Sequence, residues 1–131
     1  MANITREIPV NVPPGQVWEQ VKDLGNTHRL FAGVLTDCKL EEGARVVTFA
    51  NGMVVRELIV EVSDERRRVA YAAVGGRTTH HNASLQVLPG EAGGSRVVWT
   101  TDFLPDSVAP GIAGLVDAGA AALKRNLERR A

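Results

Sequence analysis

"ARVVTFANGMVVRELIVEV", residues 44–62, holds two β-branched runs on either side of an Asn51–Gly52 pair. Asn–Gly supplies the positive φ angles of tight hairpin turns, so the chain reverses here and its two arms pair antiparallel. The same grammar repeats outward from this hairpin. Upstream, "VLTDCKLEEG" (34–43) is a strand ending at Gly43. Downstream, "RRVAYAAVGG" (67–76) follows the charged turn "SDERR" (63–67), and "THHNASLQVLPG" (79–90) and "SRVVWTTDFLPD" (95–106) flank a glycine-rich loop. Strand follows strand from Val34 to Leu104, each antiparallel to its neighbour because the connections are short.

The two ends of the chain read differently. Ile4, Arg6, Ile8 and Val10 alternate with Thr5 and Glu7, which makes a seventh strand at the N-terminus. "VPPGQVWEQVKDLGN" (12–26) then changes period. Two prolines suit a helix start, Val17, Trp18, Val21 and Leu24 follow at helical spacing, and Gly25 closes the segment. "THRLFAGV" (27–34) predicts a second short helix with Thr27 as its N-cap. Within the stretch from Ser107 to Ala131 a long helix places Ile112, Leu115, Val116, Gly119, Ala122, Leu123 and Leu127 on one face. At roughly twenty residues it spans about 30 Å. Its apolar stripe needs a surface to cover, and the inner face of the sheet is the large one available. Gly111, Gly114 and Gly119 either let helix and sheet pack closely or leave space between them, and glycine serves both ends.

Composition narrows the function. The 131 residues suit one domain, residues 1–131, and 44% apolar with 23% charged residues and zero net charge describes a folded, soluble chain. No surplus of positive charge is available for a nucleic acid. Basic residues gather at "ERRR" (65–68) and "KRNLERR" (124–130), where a solvated turn and a helix C-terminus accommodate them. Cys38 is the single cysteine, no basic start leads into an apolar run, and no apolar stretch approaches a membrane span. A cytoplasmic protein is the expectation.

Strand alternation sorts the chemistry-bearing side chains into two faces. In "THHNASLQV", His81 shares a face with Ala83, Leu85 and Val87, while His80, Asn82, Ser84 and Gln86 take the other. The two histidines therefore point apart and cannot chelate one ion. His28 is distant, and no HxH, HExxH or Cys/His cluster exists, so neither metal nor cofactor is expected. Val97, Trp99, Thr101 and Phe103 form the apolar side of the last strand, and Val69, Tyr71 and Ala73 fall together two strands earlier. Val47 and Phe49 face inward if the Asn51–Gly52 hairpin has a two-residue loop. The strand after it is ambiguous. Val54, Arg56, Leu58, Val60 and Val62 make the better apolar face and put Arg56 inside; Met53, Val55, Glu57 and Ile59 make the other. A bulge would let both charges contribute. Whichever points inward needs a partner such as Tyr71, His81 or a polar ligand.

Taken in order, "IPVNVPPGQVWEQVKDLGN", "GARVVTFANGMVVRELIVEVSDERRRVAYAAV" and "GGSRVVWTTDFLP" resemble the SRPBCC superfamily over nearly the whole chain. That superfamily includes START-type lipid-binding domains, the birch-pollen allergen group and a bacterial polyketide cyclase/dehydrase-like branch, to which the likeness is strongest. The resemblance implies an α+β helix-grip fold: a bent seven-stranded antiparallel sheet wrapped around a long C-terminal helix, with a pocket between them. It favours Glu57 over Arg56 as the inward charge. The pocket would be lined from Phe31, Phe49, Arg56 or Glu57, Tyr71, His81, Leu85, Trp99, Phe103, Leu115 and Gly119. Three functions are compatible: a binding protein for a small hydrophobic or aromatic molecule; a cyclase or dehydratase whose Tyr71, His81 or Glu57 moves protons; and a protein-interaction module, which needs an exposed apolar patch. Monomer and homodimer both remain open.

Overall fold

The computed structural model of the protein describes residues 1–130. Ala131, the last residue of the helical stretch read from the sequence, lies outside the described residues. The chain runs β1 (Ala2–Val10), α1 (Pro14–Val21), α2 (Thr27–Leu30), β2 (Leu35–Glu41), β3 (Ala44–Phe49), β4 (Val54–Ser63), β5 (Arg68–Val74), β6 (His80–Pro89), β7 (Ser95–Leu104) and α3 (Ala109–Arg130). The strands form one antiparallel sheet in the order β1-β7-β6-β5-β4-β3-β2. This is the α+β helix-grip arrangement: strands from β2 to β7 are hairpin neighbours, and β1 closes onto β7.

Local differences from the sequence reading have local causes. Helix α1 stops at Val21 rather than Gly25, and a 3₁₀ turn covers Leu24–Asn26. Thr27 is the first residue of α2 and not its cap; it is buried, and Asn26 holds the cap position. Gly25 sits where Leu40 of β2 comes within 3.7 Å of its ideal Cβ position. Trp18 is buried and donates from Nε1 to Asp64 at 2.8 Å, tying α1 to the β4–β5 turn.

The β3–β4 hairpin decides the most. Thr48 pairs with Val54, and the Phe49 N–H donates to the Met53 carbonyl, so Ala50, Asn51 and Gly52 form a three-residue loop. Gly52 takes φ +90°, as the third residue of such a loop requires. The extra residue changes which side chains share a face. A two-residue loop would set Val47 opposite Arg56; the observed loop sets Val47 opposite Val55 and Arg45 opposite Glu57. Glu57 is therefore inside and Arg56 outside, correcting the reading from hydropathy. Arg56 lies on the exposed face and pairs with Glu41 at 3.2 Å. Val54, Leu58 and Val60 face out with it, 36–64% exposed. A bulge does occur in β4, between Ile59 and Glu61, but too far along to turn Arg56 inward.

The main core lies between the sheet, α1, α2 and the C-terminal half of α3, from Ile8, Val17 and Trp18 to Leu123 and Leu127. A smaller cluster of Phe103, Ile112 and Val116 sits under the N-terminal half of α3. No helix among the described residues is long and apolar enough to cross a membrane.

Candidate functional site

Between the inner sheet face and α3 lies a cavity of about 580 Å³. Its floor comes from alternate residues of β3 to β7, including Phe49, Val55, Glu57, Tyr71, Ala73, His81, Ala83, Trp99 and Thr101. Its roof is Ile112, Leu115, Val116 and Gly119 of α3. Phe31, the residue after α2, lines one end. Asn126, buried on α3, holds that end in place by donating to the Leu30 and Ala32 carbonyls at 3.0 and 3.1 Å. The loops around Asn51, Gly75–Thr78 and Ser107–Gly111 surround the other end, which forms the mouth.

Most of the wall is apolar, so its polar groups stand out. Arg45 donates from Nε to Glu57 Oε1 at 2.8 Å, and the two side chains are only 4% and 13% exposed. They are direct cross-strand neighbours, the arrangement in which opposite charges meet. The Arg45 guanidinium also lies 5.1 Å from the centre of the Tyr71 ring, within cation–π range. Burial pushes the Glu57 carboxyl above its ordinary value, against the opposing pull of Arg45. Burial and then the Glu57 charge push the Tyr71 phenol well up, so it keeps its proton.

Trp99 is fixed from two sides. Its ring lies 5.4 Å from Phe31, and its benzo edge fills the space over Gly119. Its indole Nε1 is buried and meets no hydrogen-bond acceptor of normal geometry among the described residues. The indole is nonetheless close enough to Tyr71 to oppose slightly the upward push on that phenol.

His81 and His80 do point apart. His80, on the outer face, reaches Asp102 at 3.2 Å. His81 lines the cavity with its ring 6.0 Å from Phe103, edge to face. Burial, then the neighbouring His80, lower the His81 pKa below 6.5, while Asp102 opposes. The folded protein thus binds fewer protons at this site than the unfolded chain. Its contribution to stability is complete above about pH 6.5 and is lost as pH falls through the folded value. His81→Leu should therefore flatten the loss of stability between pH 7 and 5, read from urea midpoints. His80→Ala should change stability at pH 7 by less than about 0.5 kcal/mol. A slope unchanged by His81→Leu would place the titration elsewhere.

Of the sequence candidates, Phe31, Phe49, Glu57, Tyr71, His81, Trp99, Leu115 and Gly119 border the cavity. Three do not. Arg56 is on the outer face for the reason of loop length given above. Leu85 is consumed by the main core, and Phe103 by the cluster with Ile112 and Val116; both are fully covered by neighbours. Arg45 is the residue the sequence reading missed. Its signal was present, because Arg45 shares alternation parity with Val47 and Phe49. Among the described residues no three His, Cys, Asp or Glu side chains converge as metal ligands would.

A seven-stranded antiparallel sheet packed over one long helix, with a mostly apolar cavity between them, defines a helix-grip protein. The chain belongs to the family described as "Polyketide cyclase / dehydrase and lipid transport", whose family model matches residues 1–130. A search of curated proteins found no match. Among solved structures it is similar to the protein XoxI from Bacillus cereus, at 21% identity and TM-score 0.88, covering 97% of this chain and 96% of that one. It is also similar to BexL, a di-domain ARO/CYC from the BE-7585A biosynthetic pathway, at 17% identity and TM-score 0.84, covering 98% of this chain and 47% of BexL. A norcoclaurine synthase point mutant from Thalictrum flavum aligns at 20% identity and TM-score 0.75, over 99% of this chain and 96% of that one. At these identities the likeness establishes the shared fold.

Proposed function

We propose that the protein binds a small, largely apolar molecule in the cavity between the sheet and α3. The observation that supports this reading is the cavity itself: about 580 Å³, walled by aromatic and aliphatic side chains with a few convergent polar groups. That size and make-up match small-molecule sites, which run from about 300 to 1,000 Å³. Norcoclaurine synthase, of the same fold, has been solved with dopamine and hydroxybenzaldehyde, so small aromatic molecules are apt first probes.

The test uses Nile red, a neutral apolar dye. One dye per chain is expected, and Ala73→Phe, which adds a ring to the cavity wall, should weaken binding at least about tenfold, since a filled cavity offers no room. Equal binding by a variant with an unchanged unfolding midpoint would remove the cavity as the site. Mass spectrometry of an organic extract of the purified protein would identify any retained occupant.

A second reading, a cyclase or dehydratase, is supported by one feature. A carboxyl with a raised pKa, a phenol that keeps its proton and a neutral imidazole all border one cavity. Such a set can donate and accept protons near neutral pH if a substrate brings the right atoms within hydrogen-bond reach. A turnover whose pH profile loses one limb in His81→Leu would favour this reading over binding alone.

A further inference from the structure

We infer that Glu57 is the polar anchor of this cavity: its free carboxyl oxygen accepts a hydrogen bond from a hydroxyl group on a neutral, flat ligand whose ring lies over Ala73. The inference rests on the binding reading above and names the class of ligand. Arg45 Nε donates to Glu57 Oε1 at 2.8 Å, which leaves the second oxygen, Oε2, without a partner among the described residues. Oε2 is not one of the polar atoms sealed away from contact, so it keeps surface of its own. That surface faces the cavity. Glu57 points inward between β3 and β5, borders the cavity, and its side chain stays 13% exposed. The neighbouring residues explain the opening. Arg45 fills the β3 side, whereas the residue opposite Glu57 on β5 is Ala73, with a single methyl. Ala72 pairs with Asn82, so the same register carries the row from Ala73 to His81 on β6. Adjacent strands lie about 4.8 Å apart, which sets the Glu57 and His81 backbones about 10 Å apart with only that methyl between them. A flat ring can lie in this gap, with its hydroxyl toward Glu57 and its far edge toward His81.

The charges on the wall select a neutral donor. Arg45 and Glu57 already balance each other, and Arg45 is only 4% exposed. His81 is neutral at pH 7, because burial lowers its affinity for a proton. The remaining charged side chain on the wall, Arg77, is exposed on the β5–β6 loop at the mouth. A ligand carboxylate beside Oε2 would meet a like charge. An ammonium would set a second cation against one carboxylate. Either ion would give up its hydration to leave a net charge in a mostly apolar space. A hydroxyl supplies the donor without that cost, and its bond to a charged acceptor is stronger than one between neutral groups.

Three naphthalenes of similar shape separate these cases: 2-naphthol, 2-methylnaphthalene and 2-naphthoate, each titrated as a competitor of bound Nile red at pH 7. The naphthol should bind at least about fivefold more tightly than the methyl compound, although the methyl compound is the more apolar, because a hydroxyl gains a charged acceptor. The carboxylate should bind more weakly than either. In the double variant Arg45→Met/Glu57→Leu, which removes the acceptor and leaves no charge unpaired, the order of naphthol and methyl compound should reverse. In the unmutated protein, bound naphthol should show nuclear Overhauser contacts to the Ala73 methyl. Equal or weaker binding of the naphthol in the unmutated protein, an advantage that survives the double variant, strongest binding by the carboxylate, or bound naphthol without contact to Ala73 would each overturn the proposal. So would Nile red binding that none of the three displaces. Those results would leave cavity binding intact. Failure of Nile red itself to bind, with no binding of the three by direct titration, would overturn the binding reading and this proposal with it.

Discussion

Glu57→Leu is expected to lower the unfolding free energy by about 3–5 kcal/mol, the range found when one partner of a buried ion pair is removed. Arg45 would be left charged, because a guanidinium does not release its proton in a protein. Its remaining contacts are a long 3.5 Å approach to the Leu24 carbonyl and the face of Tyr71. Neither replaces a carboxylate. The double variant Arg45→Met/Glu57→Leu should recover most of the loss, since apolar residues of similar volume often match or exceed a buried pair in stability. Urea unfolding of the four proteins in this cycle isolates the coupling. A cost below about 1 kcal/mol for Glu57→Leu would mean that the pair is solvated and not buried. The sign of the pH dependence gives an independent check. The folded Glu57 pKa lies above its ordinary 4.5, so its contribution is fully present below that value and is lost as pH rises through the folded pKa. The double variant should lack that component. The pair borders the cavity, where it adds fixed polarity to a mostly apolar wall.

The same two residues show how far the sequence could be read. Alternation, turn residues and the long amphipathic stripe made the order of elements legible, because each depends on local chemistry: Gly52 with positive φ, prolines before α1, and Ile112 through Leu127 along one face of α3. The resemblance added the sheet's closure around the helix. The facing of β4 was not legible from hydropathy, because the stripe Val54, Leu58 and Val60 is the exposed one. Hydropathy reports which face would rather be buried, whereas the hairpin register decides which face is. One residue of loop length separates the two outcomes, and Asn51–Gly52 is compatible with both a two- and a three-residue loop. Glu57 then lies opposite Arg45, whose parity with Val47 and Phe49 placed it inside from the start. A charged residue on an otherwise apolar face is easily taken for an irregularity, although functional sites are where local rules are expected to break. The fates of Leu85 and Phe103 were out of reach for another reason. Alternation assigns a face but not a depth, and whether an inward side chain meets a cavity or a helix depends on where α3 crosses.

Gly119→Ala should destabilise the protein by about 1–3 kcal/mol, as overpacking does, whereas Gly114→Ala on the same helix should stabilise it by about 0.5–1 kcal/mol. Helix propensity alone gives both substitutions the same favourable sign. The difference is what the new methyl meets. At Gly114 an added Cβ finds nothing within 4 Å. At Gly119 it would lie 2.7 Å from Cη2 and 2.8 Å from Cζ3 of Trp99, closer than carbon atoms approach without displacement. Trp99 cannot yield freely, because Phe31 packs against it. Either α3 lifts from the sheet or the indole swings into the cavity, and both outcomes change the cavity's shape. Gly119→Leu should therefore weaken Nile red binding more than Gly119→Ala does. Removing the obstacle should reverse the sign: in a Trp99→Leu background, Gly119→Ala should become neutral or stabilising, because the propensity gain is then unopposed. Urea midpoints at unchanged m-values give the comparison. A stabilising Gly119→Ala in the otherwise unmutated protein would show that the ring moves at little cost, and that the close approach of helix and sheet does not fix Trp99 in place.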